Sequence, residues 1–204
     1  MAEFTEGARY DAMNERGDTM LILVAVGANL PGPWGDRPIT TCLRAVQEVA
    51  SLPGLRLQAV SAWYGSAAMP PSGQPDYVNG VIRLQGTAQV EPAWLLSALH
   101  RIEAAAGRVR SVANAARSLD LDLLAVGDVI RPAGVEPGSG PVLPHPRLAE
   151  RSFVLQPLRD VCPDWVDPRD GRTVEALIAA VEAAPGPHGC GAASQPLLWN
   201  IPQR

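Results

Sequence analysis

The order of predicted strands and helices is the feature that most constrains the fold of this chain. Alternating apolar residues predict strands, and apolar residues three or four apart predict helices. The order strand, helix, strand, strand, helix, strand is predicted over 21–26, 39–50, 55–63, 77–84, 91–107 and 119–126. Two further helices are predicted over 153–161 and 173–183. This order favours an α+β fold: a ferredoxin-like antiparallel sheet covered by helices, in three αβα layers.

Composition indicates one globular domain with an extension at each end. The chain has 204 residues, of which 47% are apolar and 19% are charged. A chain of this kind buries enough surface to fold without a disulfide or a structural metal. Residues 1–19 are polar and lack a period, which predicts a disordered extension. A single domain is predicted over 20–183, and 184–204 is predicted to be a loose C-terminal tail.

Residue counts argue against several functional classes. All 17 basic residues are arginine, and this excludes a P-loop and Schiff-base chemistry, because both need lysine. The formal net charge of -4 argues against a nucleic-acid partner. The longest apolar run, Met20 to Val26, is too short to span a membrane. Three widely spaced cysteines without a C-x-x-C motif predict no disulfide, no zinc site and a cytoplasmic location.

Two carboxylates interrupt the last predicted strand of the sheet. Asp120 and Asp122 are two residues apart, so both side chains leave one face of the strand and the flanking leucines leave the other. Carboxylates this close repel each other unless a cation lies between them, and Mg2+ takes one or two carboxylates together with waters and phosphates. Two solvated aspartates on an exposed face are the alternative. The apolar strand and the upstream arginines favour the metal site.

Arginines precede these aspartates in a segment that has no strand or helix period. Arg108 and Arg117 flank a loop that could close over a ligand. Arginines and a metal together form the two halves of a phosphoryl-transfer site, because both neutralise and orient phosphate oxygens. Solvated surface arginines are the alternative, and the neighbouring carboxylate pair favours the phosphate site.

Further candidates surround this region. His145 stands between two prolines in a loop, and Arg151 and Phe153 follow it. Tyr77 and Asn79 are two residues apart on a predicted strand and therefore share one face. A ring and an amide could hold a flat heterocycle by stacking and paired hydrogen bonds. The alternatives are core packing for the two aromatic residues and an exposed turn for the histidine.

Several segments in a fixed order together resemble a known family. They are Gly27-Ala28-Asn29-Leu30, Gln74-Pro75-Asp76-Tyr77-Val78-Asn79, His100-Arg101-Ile102-Glu103, Gly107-Arg108-Val109-Arg110, Arg117-Ser118-Leu119-Asp120-Leu121-Asp122, Pro144-His145 and Arg151-Ser152-Phe153-Val154-Leu155. Each motif is weak alone, but the ordered set is specific. The chain resembles the 6-hydroxymethyl-7,8-dihydropterin pyrophosphokinases of folate biosynthesis over most of 21–178.

The resemblance implies transfer of the β,γ-pyrophosphoryl group of ATP to the hydroxymethyl oxygen of the dihydropterin, with release of AMP. It implies two Mg2+ ions, both held by Asp120 and Asp122. Separately, we expect the protein to be a monomer. The implied catalytic residues are Arg108, Arg117, Asp120 and Asp122. The implied ATP-binding residues are His100, Glu103, Arg108, Arg117, His145 and Arg151. The implied pterin-binding residues are Ser66, Ala67, Met69, Tyr77, Asn79, Asp120 and Phe153, with Tyr77 and Phe153 stacking on the ring.

This chain departs from the family pattern at three places. Asn114-Ala115-Ala116 precedes Arg117 where the family often has Gly-Pro or Ala-Pro, so we expect loop closure to differ. His100 stands where glutamine is common, and Gly65 stands where arginine is frequent. A catalytically silent module that binds nucleotide or pterin on the same fold is the alternative function. The intact set of aspartates and arginines favours an active enzyme.

Overall fold

The computed structural model describes residues 19–68, 73–108, 115–133, 140–184 and 195–197. The strands in these ranges are β1 (Thr19–Ala28), β2 (Leu55–Val60), β3 (Trp63–Ser66), β4 (Tyr77–Thr87), β5 (Asp120–Val126) and β6 (Gln195–Leu197). The helices are α1 (Pro38–Ala50), α2 (Pro92–Ala105), α3 (Ser152–Val161) and α4 (Val174–Ala183), with a 3-10 turn at Leu148–Glu150. The predicted N-terminal extension lies outside the described residues, except for its last one.

The six described strands form one antiparallel sheet. The strand order is β5-β1-β4-β3-β6, and β2 pairs with β4 beyond the end of β3. With β2 and β3 taken as one edge, the chain runs β1, α1, β2/β3, β4, α2, β5, which is the predicted ferredoxin-like order. The register places Gly27 of β1 between Asn79 of β4 and Asp120 of β5. This row of residues lies at the end of the sheet where the candidate site is built.

Helices cover both faces of the sheet. Ile22, Val24 and Val26 of β1 belong to the buried cluster that includes α1 and α2, while Leu23 belongs to the cluster that includes α3 and α4. This division follows from the strand geometry, because successive side chains point to opposite faces. Each fully buried aliphatic side chain contributes about 1.5–3 kcal/mol of hydrophobic stabilisation. The predicted three-layer αβα arrangement is confirmed.

The predicted strand over 55–63 is in fact two strands that separate at Ser61 and Ala62. The Val81 N–H donates to the Ser61 hydroxyl at 3.0 Å, and the Ser61 N–H donates to the Val81 carbonyl at 3.0 Å. The Ala62 N–H donates to the Asp160 carboxylate of α3 at 3.1 Å instead of to a strand. At this point, side-chain oxygens replace part of the backbone hydrogen bonding between strands. The alternation of apolar residues could not predict this break, because it does not indicate which side chains accept backbone N–H groups.

Helix α2 ends in a Schellman motif that fixes the backbone of Arg108. Gly107 has a φ of 81°, and its N–H donates to the Ala104 carbonyl at 3.0 Å. The Arg108 N–H donates to the Glu103 carbonyl at 3.1 Å, which completes the motif. This positive φ favours glycine because glycine has no Cβ. The predicted end of the helix at Gly107 is confirmed.

Part of the predicted C-terminal tail belongs to the sheet. Residues 195–197 form β6, which pairs with β3 in antiparallel register. A three-residue edge strand needs only backbone pairing and no apolar period, so composition did not indicate it. Among the described residues, no helix is both long and apolar enough to cross a membrane.

Candidate active site

One end of the sheet gathers residues that the sequence singles out. Asp120 begins β5, Asn79 lies near the start of β4, and Gly27 of β1 is paired with both. Directly opposite residues in an antiparallel sheet share a face, so Asp120 and Asn79 project from the same face on either side of Gly27. A Cβ on Gly27 would lie 3.2 Å from the Asn79 Oδ1 atom. A glycine at this position therefore leaves room for the Asn79 side chain.

The two aspartates of β5 lie on the face opposite the buried leucines. Leu119, Leu121 and Leu123 are each at most 3% exposed and belong to the cluster with α1 and α2. The Asp120 and Asp122 side chains are 21% and 31% exposed. The strand thus buries its apolar side and presents both carboxylates on one surface, as its alternating pattern predicts.

Both predicted loop arginines pair with Asp120. The Arg108 Nη1 atom lies 2.7 Å from Asp120 Oδ1, and the Arg117 Nη1 atom lies 2.6 Å from Asp120 Oδ2. Burial acts to lower the pKa of Arg117, but the Asp120 charge and hydrogen bond outweigh it and raise that pKa. Each guanidinium carries five N–H donors, so both arginines can bind a further anion while they contact Asp120.

Glu103 of α2 connects Arg108 to β5. Its side chain is nearly fully buried, and its Oε1 atom accepts the Leu121 N–H at 2.8 Å and pairs with Arg108 Nη1. A buried carboxylate is tolerated only with such partners. These contacts hold Arg108 in place. The predicted role of Glu103 in binding ATP stays a prediction. The same holds for His100, which lies three residues earlier on α2 and is partly exposed.

Asp122 faces Arg151 and His145. The Arg151 Nη1 atom lies 3.2 Å and the His145 Nε2 atom 4.0 Å from Asp122 Oδ2. The Arg147 N–H donates to His145 Nδ1 at 3.2 Å, which places the proton of the neutral ring on Nε2, towards Asp122. Burial lowers the pKa of His145, although the Asp122 charge opposes this effect. His145 is therefore poised as a neutral hydrogen-bond donor at neutral pH.

Residues predicted to bind the pterin lie in or next to the row formed by Asn79, Gly27 and Asp120. The Asn79 amide donates to the Ser66 hydroxyl at 2.9 Å, and Ser66 is paired with Tyr77 across β3 and β4. Asn79 and Ser66 are buried, whereas the neighbouring Ala67 is exposed. Met69 lies outside the described residues. The structure thus brings together four members of the predicted pterin set: Ser66, Tyr77, Asn79 and Asp120.

Two partly buried aromatic rings lie next to the arginines. Burial raises the pKa of Tyr77, and the nearby Arg117 charge opposes this rise. The Phe153 ring centre lies 5.6 Å from the guanidinium carbon of Arg151. Each predicted stacking residue is thereby connected to an arginine predicted to bind phosphate, so the two halves of the site are contiguous.

The donor set suits a Mg2+ ion that arrives with a phosphate substrate. The described residues contain no group of three or more His, Cys, Asp or Glu side chains that could hold a metal. Mg2+ is usually bound through one or two carboxylates, with waters and substrate phosphates completing its octahedron. Asp120 and Asp122 provide those two carboxylates, partly exposed and on one face. They therefore fit this mode of binding.

Comparisons with known proteins decide the family. The profile of the 7,8-dihydro-6-hydroxymethylpterin-pyrophosphokinase (HPPK) family matches residues 23–163. The chain belongs to the HPPK family. It is 40% identical over 161 residues to a Synechocystis relative, covering 78% of this chain and 75% of that protein. It is 39% identical over 172 residues to a Pseudomonas aeruginosa relative, covering 81% and 97%. Both are named 2-amino-4-hydroxy-6-hydroxymethyldihydropteridine pyrophosphokinase.

Solved structures share the fold of this HPPK-family chain. A crystal structure of the Plasmodium falciparum HPPK-DHPS with STZ-DHP superposes with a TM-score of 0.57 at 12% identity. The match covers 83% of this chain and 43% of that one, so this chain spans less than half the length of the solved protein. At this identity the likeness shows the fold alone.

One residue of this HPPK site was not singled out for a role by the sequence. Asn29 lies directly after β1 and is 1% exposed, with hydrogen bonds to residues on both sides of it. The segment Gly27-Ala28-Asn29-Leu30 contributes to the family resemblance, but its pattern does not reveal what the side chain contacts. A polar residue that follows an apolar strand is more often solvated in a turn, and only the structure shows that this one is buried.

Proposed function

We propose that this HPPK-family chain transfers the β,γ-pyrophosphoryl group of ATP to the hydroxymethyl oxygen of 6-hydroxymethyl-7,8-dihydropterin and releases AMP, as a step of tetrahydrofolate biosynthesis. One observation carries the proposal. The carboxylates of Asp120 and Asp122, each in contact with an arginine, lie beside Asn79 and Tyr77 at one end of the sheet. The names of the curated relatives support the same reaction.

The bond changes define what the site must provide. The hydroxymethyl oxygen forms a bond to the β-phosphorus, and the bond from that phosphorus to the oxygen bridging to the α-phosphorus breaks. AMP leaves with the bridging oxygen, and the hydroxyl proton is released. Negative charge develops on the leaving oxygen, so donors fixed near it lower the barrier, and each such donor is worth about 100- to 1000-fold in rate.

Arginines on two sides of the carboxylate pair supply these donors. Arg108 and Arg117 stand beside Asp120, and Arg151 stands beside Asp122 with His145. Guanidinium groups match phosphate oxygens with paired N–H donors and stay charged at physiological pH. We assign Arg108 and Arg117 to the triphosphate, with His145 and Arg151 on the other side of it. The neutral His145 would donate from Nε2.

Asp120 and Asp122 would hold Mg2+, and we propose two ions. When bound, Mg2+ neutralises phosphate charge and orients the transferring group. The two carboxylates are already flanked by arginines, which limits their mutual repulsion. This flanking allows both aspartates to remain near the surface of one strand without destabilising the fold.

The neighbouring aromatic residues fit a flat bicyclic ring. We assign Tyr77 and Phe153 to stacking on its two faces and Asn79 to hydrogen bonds with its edge. Asn79 and Asp120 lie in one row across the sheet, on either side of Gly27. A pterin ring whose edge is bound by Asn79 would therefore direct its hydroxymethyl group towards the carboxylates. Backbone groups of the segment from Ser66 to Met69 would complete the pocket.

An assay of AMP release tests the proposal. Purified protein is incubated with ATP, Mg2+ and the dihydropterin, and nucleotides are separated by chromatography. We expect AMP in amounts that depend on both pterin and Mg2+. Binding of both ligands by calorimetry without AMP would instead support the catalytically silent module.

We also propose that the chain acts in the cytoplasm as a monomer, with the single domain predicted over 20–183 extended by strand β6. Helices cover both faces of the sheet and thereby bury the apolar surface that strands would otherwise expose. The buried Cys42 and the partly buried Cys162 are free thiols, which fits a reducing compartment. Light scattering coupled to size-exclusion chromatography tests the monomer, and a dimer mass would contradict it.

A further inference from the structure

We propose that Asn29 is a positioning residue that couples the pterin side of the site to the phosphate side. The inference rests on the proposed function and adds a residue whose role is to link the two substrate regions. Asn29 is 1% exposed, so its amide is occupied by protein groups and is not presented to substrate. Its contacts reach two segments that are far apart in the sequence.

The first set of contacts holds the backbone of Arg117. The Arg117 N–H donates to the Asn29 Oδ1 atom at 2.8 Å, and the Asn29 N–H donates to the Arg117 carbonyl at 3.0 Å. The Leu30 N–H donates to the same carbonyl at 3.2 Å. Both polar backbone groups of Arg117 are thereby fixed by the segment after β1. Its side chain can then reach Asp120 from a defined position.

The second set of contacts holds the segment that leads into β4. The Asn29 Nδ2 group donates to the Gln74 Oε1 atom at 3.2 Å and to the Pro75 carbonyl at 3.1 Å. This segment directly precedes Tyr77, which begins β4 and is followed two residues later by Asn79. The position of the pterin residues is therefore tied to the same amide that fixes Arg117.

Only a primary amide satisfies this set of partners. The Asn29 side chain offers one acceptor oxygen and two N–H donors, and the partners are one N–H and two oxygen atoms. Aspartate would keep the acceptor for Arg117 but would place a carboxylate oxygen against the Pro75 carbonyl. Alanine would remove every side-chain contact and leave buried polar groups unpaired, which is costly.

A shared amide makes the two substrate regions interdependent. When pterin orders the segment around Gln74 and Pro75, the amide is held, and Arg117 is held with it. Binding of one substrate should then favour binding of the other. Coupling between two sites of this kind typically changes affinity by about 5- to 150-fold.

The experiment compares Asn29→Asp, Asn29→Ala and Gln74→Ala in the full chain with the parent. Gln58→Ala is the matched control, because the exposed Gln58 of β2 donates to the partly buried Gln85 of β4 at 3.1 Å. Calorimetry gives the Kd of α,β-methylene-ATP with Mg2+, in the absence and in the presence of the dihydropterin. The Kd measured without the dihydropterin, divided by the Kd measured with it, is the coupling ratio. Thermal unfolding of the same samples shows that each variant is folded.

We expect Asn29→Asp and Asn29→Ala to lower this ratio at least about fivefold, and Gln74→Ala to lower it less, because one of the two acceptors remains. Gln58→Ala should leave it unchanged. A loss of fold alone would not change the ratio in the folded fraction. Ratios within twofold of the parent for all folded Asn29 and Gln74 variants would overturn the inference. If Asn29→Ala does not fold, the other two variants decide.

Failure of this inference and failure of the proposed function give different results. The coupling ratio is a binding measurement and needs no turnover. A parent that binds both ligands with coupling but releases no AMP would contradict the proposed reaction and leave the role of Asn29 supported. If the parent releases AMP but the variants keep the parental coupling ratio, the proposed reaction is supported and the role of Asn29 is contradicted.

Discussion

At the scale of single residues, the site depends on two carboxylates, Asp120 and Asp122, each paired with its own arginine residues. Removing one charge should abolish most turnover, because Asp120 and Asp122 are the proposed Mg2+ ligands and metal stabilisation of the transferring group is worth several kcal/mol. We expect Asp120→Asn and Asp122→Asn each to lower the rate of AMP release about 100-fold or more. Thermal unfolding should change little, because both side chains are partly exposed.

Asp128→Asn is the matched control for these variants, because Asp128 is exposed in the turn after β5. It should keep the parental rate. Activity within about threefold of the parent for either site variant would contradict the metal assignment. A large fall in Tm for Asp120→Asn would show instead that its ion pairs with arginine mainly support the fold.

The two arginines beside Asp120 should act mainly on the transition state. We expect Arg108→Ala and Arg117→Ala each to lower kcat by about 100-fold, the effect of losing one fixed electrostatic donor, with much smaller changes in the Kd of ATP. Arg108→Lys and Arg117→Lys should restore little of the lost kcat, because the compact ammonium charge of lysine cannot replace the planar set of N–H donors of a guanidinium group. Arg101→Ala, on the exposed face of α2, is the control. Weaker ATP binding with an unchanged kcat would instead indicate that these arginines contribute to ground-state binding only.

The aromatic residues should matter for one substrate and not the other. Tyr77→Ala and Phe153→Ala should weaken pterin binding by about 1–3 kcal/mol, as for stacking on a flat base. The Kd of α,β-methylene-ATP measured alone should barely move. Calorimetry with each ligand separates the two effects. Equal weakening for both ligands, or unfolding, would assign the rings to the core.

The sequence predicts some of these residues better than others for a physical reason. Strand alternation places Asp120 and Asp122 on one face, and this follows from local geometry alone. Asn29 contacts Gln74 and Arg117, which are 45 and 88 residues away along the chain. Contacts of that range depend on the assembled sheet, so no local pattern could indicate them.

At the scale of elements, the C-terminal end of α2 determines the position of the Arg108 backbone. We expect Gly107→Ala to cost about 1 kcal/mol of stability, because alanine disfavours the left-handed conformation. A Cβ there would make only ordinary contacts, the nearest with Pro33 at 3.6 Å. Displacement of Arg108 should also lower kcat at least about tenfold, since small misplacements near the reacting groups are costly.

Gly171→Ala provides the control for this prediction. Gly171 has a φ of 77°, and a Cβ there would meet no atom within 4 Å. It should lose a similar amount of stability and keep the parental kcat. Chemical denaturation and initial rates of AMP release measure both quantities. Equal kcat values for the two alanine variants would show that the Schellman motif does not position Arg108.

Element boundaries show where local signals end. The end of α2 could be predicted, because Gly107 is a strong local signal for a helix C-terminus. The break between β2 and β3 could not, because it depends on the Ser61 hydroxyl reaching Val81 across the sheet. Strand β6 also could not be predicted, because it pairs with the edge of β3 through backbone groups that are common to all residue types.

At the scale of the whole molecule, the order of elements was sufficient to predict the architecture. Short connections and antiparallel pairing leave few ways to arrange this order of strands and helices. Apolar residues on both faces of β1 then require a helical layer on each side, and both layers are present. The site lies at one end of this sheet, and its residues come from β1, β4, β5, the end of α2 and the region of α3.

The path of isotopic label from ATP tests the central claim most directly. The full chain is incubated with Mg2+, the dihydropterin and ATP labelled with 32P at the α, β or γ position, and products are separated by chromatography. The proposed reaction predicts that β and γ labels move together into the pterin product, while the α label appears only in AMP. A γ label in inorganic phosphate, or accumulation of ADP, would contradict pyrophosphoryl transfer by this site.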